Sequence, residues 1–233
     1  MADTLDLDPE WGAIDLIEEL EETFKFKMTN EEAERCCTVG DVYEVLRSHT
    51  EGWDEHSGNC SSSMTFYRLR NALGPDYRRS ITPSTPLISI GLKPSELFDV
   101  LSKRSGLRLP SHPLNRLGMI GSCLIFAGVI LSIVAFFNSH WLVGGAFALI
   151  AGVGLVLVWR DPGRLPNGIV TFGDLVTRSA PLNAMRLQEM GGKPSDRWSV
   201  LTAIAAEYGQ LQPNAISPEI FLHRKSLDEA LAA

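Results

Sequence analysis

Two long apolar runs with only three polar residues between them constrain this chain more than any other feature. Residues 117–137 read LGMIGSCLIFAGVILSIVAFF and residues 141–159 read WLVGGAFALIAGVGLVLVW, and neither contains a charged side chain. A helix needs about 20 apolar residues to cross the hydrocarbon core of a bilayer, and both runs have that length. A soluble core helix keeps one polar stripe, whereas these runs are apolar all round. The pattern predicts a transmembrane helical hairpin over residues 117–159.

The flanks suit such a hairpin. His140 with Trp141 at one end and Trp159 at the other fit the interfacial belts where amphipathic rings settle. The connector Asn138, Ser139 and His140 carries no Lys or Arg, whereas Lys103, Arg104, Arg108 and Arg116 precede the hairpin and Arg160 and Arg164 follow it. Positive charge stays cytoplasmic, so both termini are expected on the cytoplasmic side of a multi-pass protein. Gly144, Ala148 and Gly152 recur every fourth residue in the second run, with Gly118 and Ser122 a weaker match in the first. Such small residues permit close helix contact, either within the hairpin or in self-association. The acidic N-terminal segment lacks a basic-then-apolar pattern, so no cleavable signal peptide is expected.

Charge is segregated along the chain. Residues 1–59 hold 17 carboxylates against four Lys and Arg, while residues 60–116 hold nine Lys and Arg against three carboxylates. The basic stretch is favoured beside an anionic leaflet, and the acidic one is left for basic-surfaced protein partners. No basic, aromatic-interleaved stripe points to nucleic acid. Cys36, Cys37, Cys60 and Cys123 form no CxxC pair, and with His49 and His56 they match no standard zinc finger, so no metal is expected. No HExxH, GxSxG, P-loop or GxGxxG motif occurs, and the chain is read as a non-enzyme with no catalytic residues.

Outside the hairpin the chain reads as helices. In IDLIEELEETFKFKM, Ile14, Ile17, Leu20 and Phe24 recur at helical spacing with carboxylates elsewhere. A short helix follows over residues 30–35. Thr38-Val-Gly-Asp41 then has the form of a capping box, with Val42, Val45 and Leu46 behind it. Residues 49–63 are rich in Ser, Gly and charge and read as a linker. Further helices are expected over residues 64–73, from Pro94 to about Ser105 with Leu97, Val100 and Leu101 inward, after Thr171, and over residues 198–208. Two motifs recur. Thr-x-Gly-Asp stands at Thr38 and Thr171, and Ile-(Ser/Thr)-Pro-x-x-x-Leu stands at Ile81 and Ile216. Paired repeats of this kind indicate a duplicated unit.

The stretch IDLIEELEETFKFKMTNEEAERCCTVGDVYEVL resembles the acyl carrier protein family. There, a long acidic second helix is followed by a short third helix and a Thr-Val-x-Asp cap that opens the fourth. The resemblance implies an all-α fold: small carrier-like bundles plus the hairpin. Residues 1–48 supply helices two to four. Residues 64–110 start a second module, the hairpin interrupts it, and residues 160–190 supply its remainder. Residues 195–233 resemble a carrier's first helix and loop, and would complete the N-terminal module; on that reading Ile14, Leu16 and Leu20 contact Trp198, Leu201 and Ile204.

The family carries a phosphopantetheine arm on a serine in an Asp-Ser-Leu setting. Here Pro9-Glu10-Trp11, or with one gap Asp8-Pro9-Glu10, takes that place, and no serine falls in the window. Ser95 is the nearest serine in the second module, and no cofactor is expected. Carriers are recognised through carboxylates of the second helix, which Asp15, Glu18, Glu19, Glu21 and Glu22 would supply here. The resemblance therefore implies a non-catalytic docking scaffold at a bacterial inner membrane, recruiting acyl-transfer or lipid-synthesis enzymes. An atypical carrier modified at Ser95 and a membrane-complex assembly subunit are the alternatives.

Overall fold

The computed structural model describes residues 4–8, 11–55, 57–77, 80–111, 113, 115–138, 141–209 and 211–223. Pro9, Glu10, His56, Ser139 and His140 lie outside them. The described residues form ten α-helices: α1 (Gly12–Phe24), α2 (Asn30–Arg35), α3 (Val39–His49), α4 (Ser61–Ala72), α5 (Pro94–Ser105), α6 (Arg116–Phe137), α7 (Trp141–Trp159), α8 (Phe172–Leu182), α9 (Ala184–Glu189) and α10 (Arg197–Tyr208). The fold class is all-α, as expected. One minimal parallel pair, β1 (Asn59–Cys60) with β2 (Gly192–Lys193), is added.

The chain divides into two compact units. One comprises Met1–Leu87, Leu101–Pro110 and Asn167–Ala233, and the other Ile88–Val100 and Ser111–Pro166. The boundary falls inside α5, so the span 64–110 does not stay together. Its N-terminal part belongs with the hairpin for a local reason. The first amides of a helix have no partner within it, and here Ser95 donates its backbone N–H to Pro162 O at 3.1 Å.

In the first unit the two ends of the chain share one core. Leu16, Leu20 and Phe24 of α1, Val39, Val42 and Leu46 of α3, and Val200, Leu201, Ile204 and Ala205 of α10 are buried together with Ile216, Ile220 and Leu222. Trp198 packs at the edge of this core. Ile14 does not join it and lies 47 % exposed. The inward stripe of α1 runs through Gly12, Leu16, Leu20 and Phe24 instead of starting at Ile14. Every residue from Val200 to Ala205 is buried, because α10 packs against α1 on one side, α3 on another and α8 on a third. Residues 49–63 are likewise more than a linker. Trp53 is buried, packs at a tilt against Phe24 with ring centroids 4.5 Å apart, and donates its Nε1–H to Ser195 O at 2.9 Å. The following helix, α4, starts at Ser61, three residues earlier than expected.

The two repeated motifs meet each other. At Thr38 and at Thr171 the side chain accepts from the amide three residues on, and Asp41 or Asp174 accepts the Thr amide in return. Each cap grips a copy of the Ile-x-Pro loop from far away in sequence. Val39 N donates to Ile220 O at 2.9 Å, Gly40 N to Pro218 O at 2.9 Å, and Leu222 N to Cys37 O at 2.9 Å. Phe172 N donates to Thr85 O at 2.8 Å, Gly173 N to Pro83 O at 2.7 Å, and Leu87 N to Val170 O at 2.9 Å. These two sets of three bonds are the same set twice. A Cβ on either glycine would sit 2.9 Å from the proline carbonyl oxygen, which is why the third position of each cap is glycine.

In the second unit α6 and α7 form the hairpin. Both are long and apolar enough to cross a membrane, and only 17 % and 11 % of their most apolar windows are buried. Their side chains thus face outward, unlike those of a soluble core helix, which fits association with a membrane. The seam between them runs through Gly118, Gly121, Gly128 and Ala135 on α6 and Gly144 and Gly154 on α7. A Cβ on Gly121 would meet Gly154 O at 2.7 Å, and one on Gly128 would meet Phe147 O and Ala151 N at 2.8 Å. Gly144 is buried in this seam, whereas Ala148 and Gly152 are exposed, and a Cβ on Gly152 meets nothing. Steps of four residues drift around a helix by about 40° each, so a strict every-fourth stripe leaves the seam. Alternating steps of three and four stay in it. At the hairpin's base, buried Asp161 accepts Asn115 N–H at 2.8 Å and Gly163 N–H at 3.3 Å, and Arg164 N donates to Pro113 O at 3.1 Å.

Two outcomes follow. Gly154→Leu forces the hairpin helices apart, while Gly152→Leu leaves them in place; thermal melting of the detergent-solubilised protein should fall for the first and stay within error for the second. Gly40→Ala and Gly173→Ala each press a methyl against a proline carbonyl and should each lower stability by about 1–3 kcal/mol, measured by denaturant titration of the soluble signal.

Candidate functional site

The face of α1 that points away from the core is the candidate site. Burying Leu16, Leu20 and Phe24 turns Asp15, Glu18 and Glu22 outward together, at helical spacings of three and four. Two apolar side chains stand on the same exposed side, Trp11 at 63 % and Ile14 at 47 % exposure. Sequence reasoning placed Trp11 in the window of the arm and Ile14 in the core, so it missed both. The signal was the stagger of Ile14 against the Leu16–Leu20–Phe24 stripe, which only one face can satisfy.

The other two carboxylates of the predicted set are occupied within the fold. Glu21 is 9 % exposed, is paired with Lys27, and accepts Met28 N–H at 2.7 Å. Burial raises its pKa, but the Lys27 ammonium and the Met28 amide outweigh that and hold the carboxyl below its usual range. Glu21 thus staples the turn after α1, where Lys25 takes a left-handed conformation with φ 56°. Glu19 is paired with Arg108 and accepts Tyr208 Oη–H at 3.4 Å. Burial and the Glu19 charge push the Tyr208 phenol up. Of the five carboxylates, Asp15, Glu18 and Glu22 are thus the exposed ones.

Glu32 closes the other end of this region. It caps α2 by accepting Thr29 N–H at 2.8 Å and faces His49 Nε2 at 2.9 Å. The Thr29 amide first, then His49, lower its pKa to about 2. In the second cap the Thr171 and Val170 amides likewise hold the Asp174 carboxyl below its usual range.

One register relates the two halves of the chain. Lys25 and Gly106 (φ 66°) are the left-handed residues that end the turn after α1 and α5. They stand 81 positions apart, and the same spacing pairs Leu16 with Leu97 and Leu20 with Leu101, all buried. On this register Glu10 corresponds to Gly91, itself left-handed at φ 79°. Ser95 falls four residues further on, in the first turn of α5. It is half-buried, with its hydroxyl turned 3.5 Å from Asp161 O. The first turn of α5 has thus taken Ser95 up. Burial, with Asp41 nearby, pushes the Cys36 thiol up to about 11, and it donates to Glu32 O at 3.3 Å.

From α1 to α3 the chain thus runs through a helix with one buried face, a left-handed turn and two capped helices. A segment of the chain is similar to the acyl carrier protein of Clostridium acetobutylicum, 44 % identical over 50 residues, which is 22 % of this chain and 57 % of that protein. The chain thus spans a little over half the length of that relative. No family model and no solved structure matches.

The capping carboxylates set an acid response. Glu32 has its pKa lowered from 4.5 to about 2. A lowered pKa stabilises the folded state above the unfolded value and loses that contribution as pH falls through the folded one. The difference in melting temperature between the wild type and Glu32→Gln should be full above about pH 4.5 and shrink to nothing near pH 2. A difference that stays constant with pH contradicts the capping charge.

Proposed function

We propose that this protein is a membrane-anchored, non-catalytic docking scaffold that uses a carrier-like acidic helix to recruit basic-surfaced enzymes of acyl transfer or lipid synthesis. The hairpin holds the scaffold at a bacterial inner membrane with both termini in the cytoplasm, and no phosphopantetheine is attached. The observation that carries this reading is the outward row of Asp15, Glu18 and Glu22 beside exposed Trp11 and Ile14. Three carboxylates without an ion-pair partner among the described residues steer a basic partner, and an exposed tryptophan gives it an apolar anchor. The similarity of part of the chain to an acyl carrier protein supports the acyl-transfer context. Glu10 and Gly91 at the two arm positions support docking without a carried group.

The test is co-purification from the native membrane under mild detergent. Wild type should retain a partner whose retention falls steeply with salt. Asp15→Lys combined with Glu18→Lys and Glu22→Lys should lose it at least tenfold, while Glu44→Lys, on α3, should not. Equal retention by both variants overturns the acidic face as the docking surface. A second reading, an assembly subunit, draws on the exposed row of Gly145, Ala148 and Gly152 on α7. Loss of partners from Ala148→Leu with Gly152→Leu, the acidic face being intact, would favour it.

A further inference from the structure

The basic stretch of the sequence has a counterpart in the first unit: a crevice beside the C-terminal half of α5. Arg68, Asn71 and Ala72 of α4 and Arg104 and Ser105 of α5 line a cleft of about 450 Å³. Arg104 extends over the end of α4 and donates from Nη1 to Ala72 O at 3.4 Å, which fixes its guanidinium at the rim. Among the described residues, no carboxylate lines the cleft or forms an ion pair with Arg68 or Arg104. This sets them apart from Arg108, which is neutralised by Glu19. Two guanidinium forks and the amide of Asn71 around one polar cleft match a phosphate or phosphodiester, the group that such forks bind bidentately.

The covalent tether brings a phosphate surface within reach. Pro110 ends this segment of the first unit, and α6 begins at Arg116. Six residues span at most about 20 Å. A unit held that close to a bilayer sees headgroup phosphate at high local concentration. Lys and Arg near an anionic leaflet are favoured there.

We propose that the Arg68–Asn71–Arg104 crevice is a phosphate-binding site filled by the headgroup of an anionic phospholipid. The acidic face of α1 and this crevice then share one folded unit, one for proteins and one for lipid. The proposal does not depend on the docking reading.

The experiment is amide hydrogen exchange on the full chain in nanodiscs of phosphatidylcholine alone, with phosphatidylglycerol added, or with millimolar inorganic phosphate added. Peptides covering 68–73 and 102–106 should exchange at least threefold more slowly with phosphatidylglycerol. Arg68→Gln with Arg104→Gln should abolish the change, while Arg47→Gln, on α3, preserves it. Slowing by inorganic phosphate alone supports the anion site and assigns it to free phosphate. No slowing of the wild type by either additive overturns the proposal, whatever the variants do.

Discussion

The first unit depends on one interaction made twice: a capped helix start gripping the Ile-x-Pro loop of a distant segment. Thr38 and Asp41 satisfy each other's amides, which leaves the amides of Val39 and Gly40 pointing outward. The carbonyls of Pro218 and Ile220 fill those positions. Without this lock, Ile216, Ile220 and Leu222 have no reason to lie over α3, and the core they close with α1 and α10 opens. The second copy, between Thr171–Asp174 and Pro83–Leu87, does the same for α8. Each lock joins residues more than eighty positions apart, so the entropic cost of closing the loop is met by local bonds and by burial together.

This arrangement explains how a hairpin can be inserted without breaking the fold. Residues 111–166 leave and re-enter the first unit between elements that the locks and the core already hold. Asp161 gathers Asn115 and Gly163 at the hairpin's base, so the ends of α6 and α7 stay together there. The glycine seam between α6 and α7 then lets their backbones approach closely, as helix pairs in lipid require, where there is no hydrophobic drive between them.

Much of the fold was legible in the sequence. The apolar runs, the capping boxes and the paired repeats each carry a physical signature that survives without an alignment. What was not legible depended on three-dimensional competition. Ile14 and Leu16 both look apolar and helical, and only the position of α10 decides which is buried. Glu19 and Glu21 look like members of a solvated acidic row until Arg108, Tyr208, Lys27 and Met28 claim them. Ala148 and Gly152 look like packing residues until the alternating seam passes them by. Ser95 is the nearest serine in the second half, and the left-handed conformation of Gly106, which sets its register against α1, is not readable from the letters alone.

The central claim is a carrier-like body that carries nothing. It is tested most directly by the intact mass of the protein purified from its native membrane. The account predicts a mass equal to that of the polypeptide, with no phosphopantetheine. A chain heavier by that arm would contradict it, and mapping the modified residue would show which side chain had taken the place of Glu10 or Gly91.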